Sequence, residues 1–200
     1  MRTVIHAALV AALCVAPVLA DKANDAKKGH NDAFVAGPES ESQIARQVRH
    51  NLLTLPYYSI FDDLAFQIVG GVVTLEGACP PEPPWDIRSD AEAAAKKVEG
   101  VTKVVNNIKL LPLSPMDWQI RRAEARAIYG NSDIGMRYGY QALPSIHIIV
   151  ENGHVTLEGV VDNQFDDTLI HTLANQVPYV FSVTDNLTVL NRQTQKKGRS

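Results

Sequence analysis

The chain has 200 residues, 46% of them apolar and 20% charged, with a formal net charge of −3, the profile of one or two ordinary globular domains. A disordered or collagen-like chain is excluded. Lys plus Arg (19) are outnumbered by Asp plus Glu (22) and aromatics make up 6%, which argues against a nucleic-acid partner held by a broad basic surface.

Residues 1–20 read as a cleavable secretory signal peptide: Arg2 is a minimal positive start, Val4 to Ala16 is nearly all apolar, and Val18-Leu19-Ala20 offers small residues for cleavage. A membrane anchor is the competing reading, but the run is shorter than the roughly 20 residues a spanning helix needs, and Pro17 interrupts it. Cys14 follows Leu13 rather than the small residue that precedes a lipidated cysteine. The expectation is a periplasmic protein. Cleavage leaves 18 basic against 22 acidic side chains, a net of −4, and a single cysteine, Cys79. In an oxidising compartment that thiol is buried, capped or an intermolecular link; a small half-buried residue at a strand end is the simplest of these.

Residues 21–39 are polar and lack apolar periodicity, so a flexible leader is expected, and residues 193–200 form a basic tail. Between them lies a repeat. Val73-Thr74-Leu75-Glu76-Gly77 returns 82 residues later as Val155-Thr156-Leu157-Glu158-Gly159, and Val104 to Leu110 returns 79 residues later as Val183 to Val189. The first copy occupies 40–113 and the second 114–192.

Both copies carry the same predicted elements in the same order. Copy one opens with a helix capped by Ser40 or Ser42, its apolar face made by Ile44, Val48 and Leu52, ending before Pro56. A hairpin follows, turning at Gly70-Gly71, with Leu64, Phe66 and Ile68 opposite Gly77, Leu75 and Val73. A second helix (about 86–98) and a last strand to Leu111 complete the unit. In copy two the first helix starts after Ser114 and ends near Gly130. The turn is Asn152-Gly153, the strongest short hairpin signal. Ile146, Ile148 and Val150 then face the core opposite Gly159, Leu157 and Val155, while His147 opposes Glu158 and His154 opposes Glu151 as paired surface side chains. A helix over about 163–177 and a strand to Leu190 close the copy. The predicted class is α+β: two αββαβ units, each a three-stranded mixed sheet with two helices on one face.

This αββαβ unit, with its VTLEG second strand and its last strand built on Val104, Asn107, Val183 and Asn186, resembles the BON domain, in two tandem copies over residues 40–192. Gly77 and Gly159 are its structural repeat glycines. Copy one keeps a Gly-Val pair at Gly100-Val101, where copy two has Tyr179-Val180, and copy two adds a Gly-rich insertion over 130–145. With a signal peptide, the arrangement is similar to the osmotically inducible periplasmic protein Y type. The resemblance implies a non-catalytic envelope-maintenance factor that binds phospholipid surfaces.

The sequence carries no catalytic constellation: there is no Gly-x-Ser-x-Gly, His-Glu-x-x-His, phosphate-cradling glycine loop or Cys-x-x-Cys. Neither a cofactor nor a metal is expected, since the His147/Glu158 and His154/Glu151 pairs offer no third ligand. Asp62-Asp63 and Asp166-Asp167 read as structural, the latter at a helix start. The segment that stands out opens copy two: Trp118, Ile120, Arg121, Arg122 and Arg126, with Arg137 in the glycine-rich loop nearby. An aromatic and several arginines on an amphipathic helix suit a membrane interface, so these six residues are the expected contacts to an anionic phospholipid surface. The competing reading puts Trp118 in its own domain's core. The alternative function is a soluble periplasmic chaperone-like or protein-interaction module, in which exposed apolar residues such as Val69 and Val72 on the open sheet face dock a client, an envelope protein or a partner's strand.

Overall fold

The computed structural model describes residues 31–33, 42–81, 86–141 and 144–190; the expected signal peptide and basic tail lie outside them. In copy one, Ser42 accepts a hydrogen bond from the Ala45 amide and starts helix α1 (Gln43–Leu53). Strands β2 (Asp63–Val69) and β3 (Val72–Cys79) form the hairpin, Asp86 caps helix α2 (Ile87–Lys96), and the last strand is split into β4 (Lys103–Asn106) and β5 (Lys109–Leu110), both parallel to β3. In copy two, Ser114 caps α3 (Pro115–Tyr129), β6 (Ile146–Glu151) and β7 (His154–Val161) form the hairpin, Asn163 caps α4 (Gln164–Asn175), and β8 (Ser182–Val189) runs parallel to β7. Each unit is the expected α+β layer, and both hairpin registers are as counted from the sequence.

The two registers share a device. Gly77 and Gly159 have φ of +112° and +131°, and a Cβ there would sit 2.1 Å from the Asp63 carbonyl oxygen or 2.0 Å from that of Ser145. Only glycine lets the partner strand approach so closely. The helices cover one face of each sheet. In copy one Val48, Leu52, Phe66, Leu75 and Ala91 are fully buried together; in copy two Ile120, Ile128, Ile148, Leu157 and Ile170 are.

Three findings depart from expectation. First, the leader is not wholly free: Asn31–Asp32 forms a short strand, β1, antiparallel to β2, the Ala33 amide donates to the Leu64 carbonyl at 2.7 Å, and Arg49 donates to the Ala33 carbonyl. Three residues carry no periodicity, so pattern reading could not find them. Second, residues 57–62 of copy one form a knuckle against β6 of copy two: the Ile148 amide donates to the Ile60 carbonyl at 2.8 Å, and Ile60 and Phe61 join the second core. Third, His147 is 2% exposed rather than a surface residue, because the knuckle covers it. The remaining sheet edges are blunted from within, the Asn106 side chain accepting from the outward Ile108 amide and Asp185 from that of Leu187. Among the described residues no helix is long and apolar enough to cross a membrane.

Candidate functional site

Helix α3 carries the predicted site, and its inner face follows from its own spacing. Positions 117, 120, 121, 124 and 128 turn toward β6 and α4, so Ile120 (1% exposed) and Arg121 (0%) are core residues, not lipid contacts. Arg121 donates from Nη2 to the Val150 carbonyl at 2.5 Å and stacks its guanidinium 5.1 Å from the centre of the Trp118 ring. Trp118 is half-buried, edge-on to Phe61 of the knuckle with ring centres 5.9 Å apart. It bridges core and interface.

Asp117, also buried, accepts from the Asn152 and Gly153 amides at 3.0 and 2.9 Å, clamping the hairpin turn to the start of α3. Glu124 is fully buried, and desolvation pushes its carboxyl up to about 8, so it is largely protonated at neutral pH. The inner-face spacing could have revealed Arg121 and Glu124: buried Ala45, Val48 and Leu52 of α1 recur as Arg121, Glu124 and Ile128, the same steps of three and four.

The described part of the insertion, up to 141, is tied down. A short helical stretch at Ser132–Ile134 runs into a π-helical turn at Gly135–Gly139, burying Ile134 and Tyr138. Buried Asp166 accepts from Arg137 Nη1 and the Tyr138 hydroxyl, both at 2.6 Å, and from Asn163 Nδ2 at 3.0 Å. Arg137 is thus a structural ion-pair partner. Asp62 likewise serves structure, its buried carboxylate accepting from the Ser59 amide and hydroxyl at 2.8 Å each. Cys79 ends β3 at 1% exposure, and burial pushes its thiol up to about 12, which disfavours the thiolate and closes it to intermolecular pairing in this fold. Among the described residues no group of His, Cys, Asp and Glu could hold a metal ion.

What faces solvent is narrower than predicted, with one addition. Arg122 and Arg126 point outward from α3 and line, with Gln119, Pro178 and Tyr179, a groove of about 330 Å³. Tyr179 is 69% exposed and Phe181 77%. Tyr179 has φ of +70°, a left-handed conformation that costs a non-glycine residue on the order of 1–3 kcal/mol. Its counterpart is Gly100, φ +87°: Thr102 donates to the Gly71 carbonyl just as Phe181 donates to that of Gly153. Copy one has a groove in the same place, about 500 Å³, between Gln43, Gln47 and Asn51 of α1 and Lys97, Glu99 and Gly100. One groove is lined by three amide side chains with a Lys and a Glu of opposite charge, the other by two arginines.

No curated relative matches the chain. Two solved structures are similar in part: the C-terminal domain of CdsD, the structural protein of the type III secretion system of Chlamydia trachomatis, at 12% identity and a TM-score of 0.28, covering 75% of this chain and 98% of that one; and CdsD of the same organism again, at 12% identity and 0.27, covering 78% and 97%. The BON domain family matches residues 40–112 and 137–191, so its first match spans copy one and its second begins beyond α3. The family is one of envelope proteins associated with membrane or phospholipid binding, and its members are generally non-catalytic. With two αββαβ sheets in tandem and family matches over more than half its length, the chain belongs to the BON domain family.

Proposed function

We propose that this chain is a non-catalytic envelope-maintenance protein of the periplasm that docks reversibly on anionic phospholipid surfaces through its second domain. The observation that carries the reading is Tyr179, an exposed aromatic held in a left-handed conformation where copy one has glycine. A strained, solvent-facing ring beside a second one, Phe181, and two outward arginines is costly for a free surface. At a bilayer interface the rings lie among headgroups while Arg122 and Arg126 meet phosphate. Each arginine near an anionic leaflet contributes about 1 kcal/mol, screened by salt. Docking is therefore weak, reversible and local, against an acidic overall charge.

Co-sedimentation of the purified protein with vesicles of anionic and of neutral phospholipid, at low and moderate salt, tests this. Pelleting with anionic vesicles alone, reduced by salt and by the double change Arg122→Gln/Arg126→Gln, is the expected result. No pelleting, or equal pelleting with neutral vesicles, overturns the reading.

A further inference from the structure

We infer that the knuckle of copy one and His147 of copy two form a latch between the domains that opens in acid. The contact has few parts, with a buried imidazole at its centre. Beside the Ile148–Ile60 backbone hydrogen bond, His147 Nδ1 lies 2.7 Å from the Asp62 carbonyl oxygen and its ring 5.7 Å from that of Tyr58. A carbonyl only accepts, so the neutral imidazole carries its proton on Nδ1. Protonating the other nitrogen would place a full charge at a site 2% exposed. The backbones of Ser59 and Pro144 also face the ring.

The ionisable groups on the elements packed around His147 are Tyr58, Asp62 and Asp63 on the knuckle and the start of β2, and Glu158 and, further along, His154 across the sheet on β7, His154 Nδ1 lying 2.7 Å from the Ser182 hydroxyl. The Asp62 carboxylate is committed to Ser59 and that of Glu158 accepts from Asn186 Nδ2. At the far end of the contact, Lys109 of β5 pairs with Glu151 of β6 at 2.6 Å, with both side chains partly exposed. That pair is screened by water and holds the domains weakly.

Burial lowers the imidazole from 6.5 to about 4. A histidine depressed in the docked state stabilises docking fully above its undocked value, and this stabilisation is lost as pH falls from 6.5 toward 4. By pH 4 the docking equilibrium has shifted toward the open state by about 150-fold. Opening withdraws Phe61 from Trp118, so the change is visible on α3 itself.

The test uses the full chain with Trp85→Phe, which leaves Trp118 as the reporter. From pH 7.5 to 4 its emission should shift red and the radius of gyration by solution scattering should rise, with far-ultraviolet circular dichroism unchanged. His147→Gln or His147→Asn, which keep a donor but do not titrate, should abolish both changes. In the wild-type protein the His147 imidazole proton resonances should titrate below pH 5. The same transition in the non-titrating variants, no change in either reporter down to pH 4, or a His147 midpoint near 6.5 would each overturn the latch.

Discussion

In copy one, α1 meets its sheet through Ala45, Val48 and Leu52; in copy two, the same spacing on α3 presents Arg121, Glu124 and Ile128. The fold tolerates this because each polar group has a local accommodation. Arg121 reaches the Val150 carbonyl and the Trp118 face, Glu124 stays protonated, and Asp117 holds the β6–β7 turn. The outer side differs in parallel, with Gly100 beside an amide-lined groove in one copy and Tyr179 beside an arginine-lined groove in the other. A duplicated scaffold thus keeps its hairpin geometry while the first helix and the loop before the last strand change chemistry.

The largest effects should be those that treat the copies alike. Gly77→Ala and Gly159→Ala each force a Cβ into a backbone carbonyl, and each should destabilise its own domain by about 3–5 kcal/mol in denaturant unfolding. Equal tolerance of alanine at the two sites would remove the shared device.

Next comes the buried acid. Glu124 is raised in the folded state from 4.5 to about 8, so its stabilising proton is lost as pH rises through that window. Glu124→Met should therefore stabilise the second domain at pH 7.5 by on the order of 3 kcal/mol, and the advantage should shrink to near zero by pH 4.5. The reciprocal Val48→Glu should destabilise the first domain at pH 7.5 by a similar amount. Thermal unfolding at the two pH values reads both.

A smaller effect separates binding from stability. Arg122→Gln/Arg126→Gln should lower affinity for anionic vesicles by about 30-fold at low salt, roughly 2 kcal/mol, and leave unfolding unchanged. The smallest is Tyr179→Gly, which makes copy two like copy one. It should stabilise the fold by about 1 kcal/mol through relief of the left-handed backbone while weakening vesicle binding. A change that both destabilised the domain and left binding intact would assign Tyr179 to packing.

The hairpins were legible because side chains alternate with a period of two, so a two-residue turn dictates every pair from Leu64↔Gly77 to Glu151↔His154. The lipid-facing set was only half legible. Trp118 and its arginines looked amphipathic as a group, yet Arg121 is one step from Ile120 and falls on the same inner face, while Arg122 and Arg126 fall outside. The knuckle at 57–62 and the leader strand were not legible at all. They are held by backbone hydrogen bonds to residues 31 to 88 positions away in sequence, and such pairing leaves no mark on local composition.

The protection of the sheet edges bears on how the chain comes to be folded. Two neighbouring units with the same VTLEG strand invite exchange, the hairpin of one copy completing the sheet of the other. The two hairpin edges are closed differently, a leader strand on β2 and the knuckle on β6, while the outer edges share one device, a side-chain oxygen on the outward amide of Ile108 and another on that of Leu187. A swapped strand would have to displace a partner specific to that edge. The unequal edges therefore act as addresses, sorting two nearly interchangeable strands to their own sheets during folding.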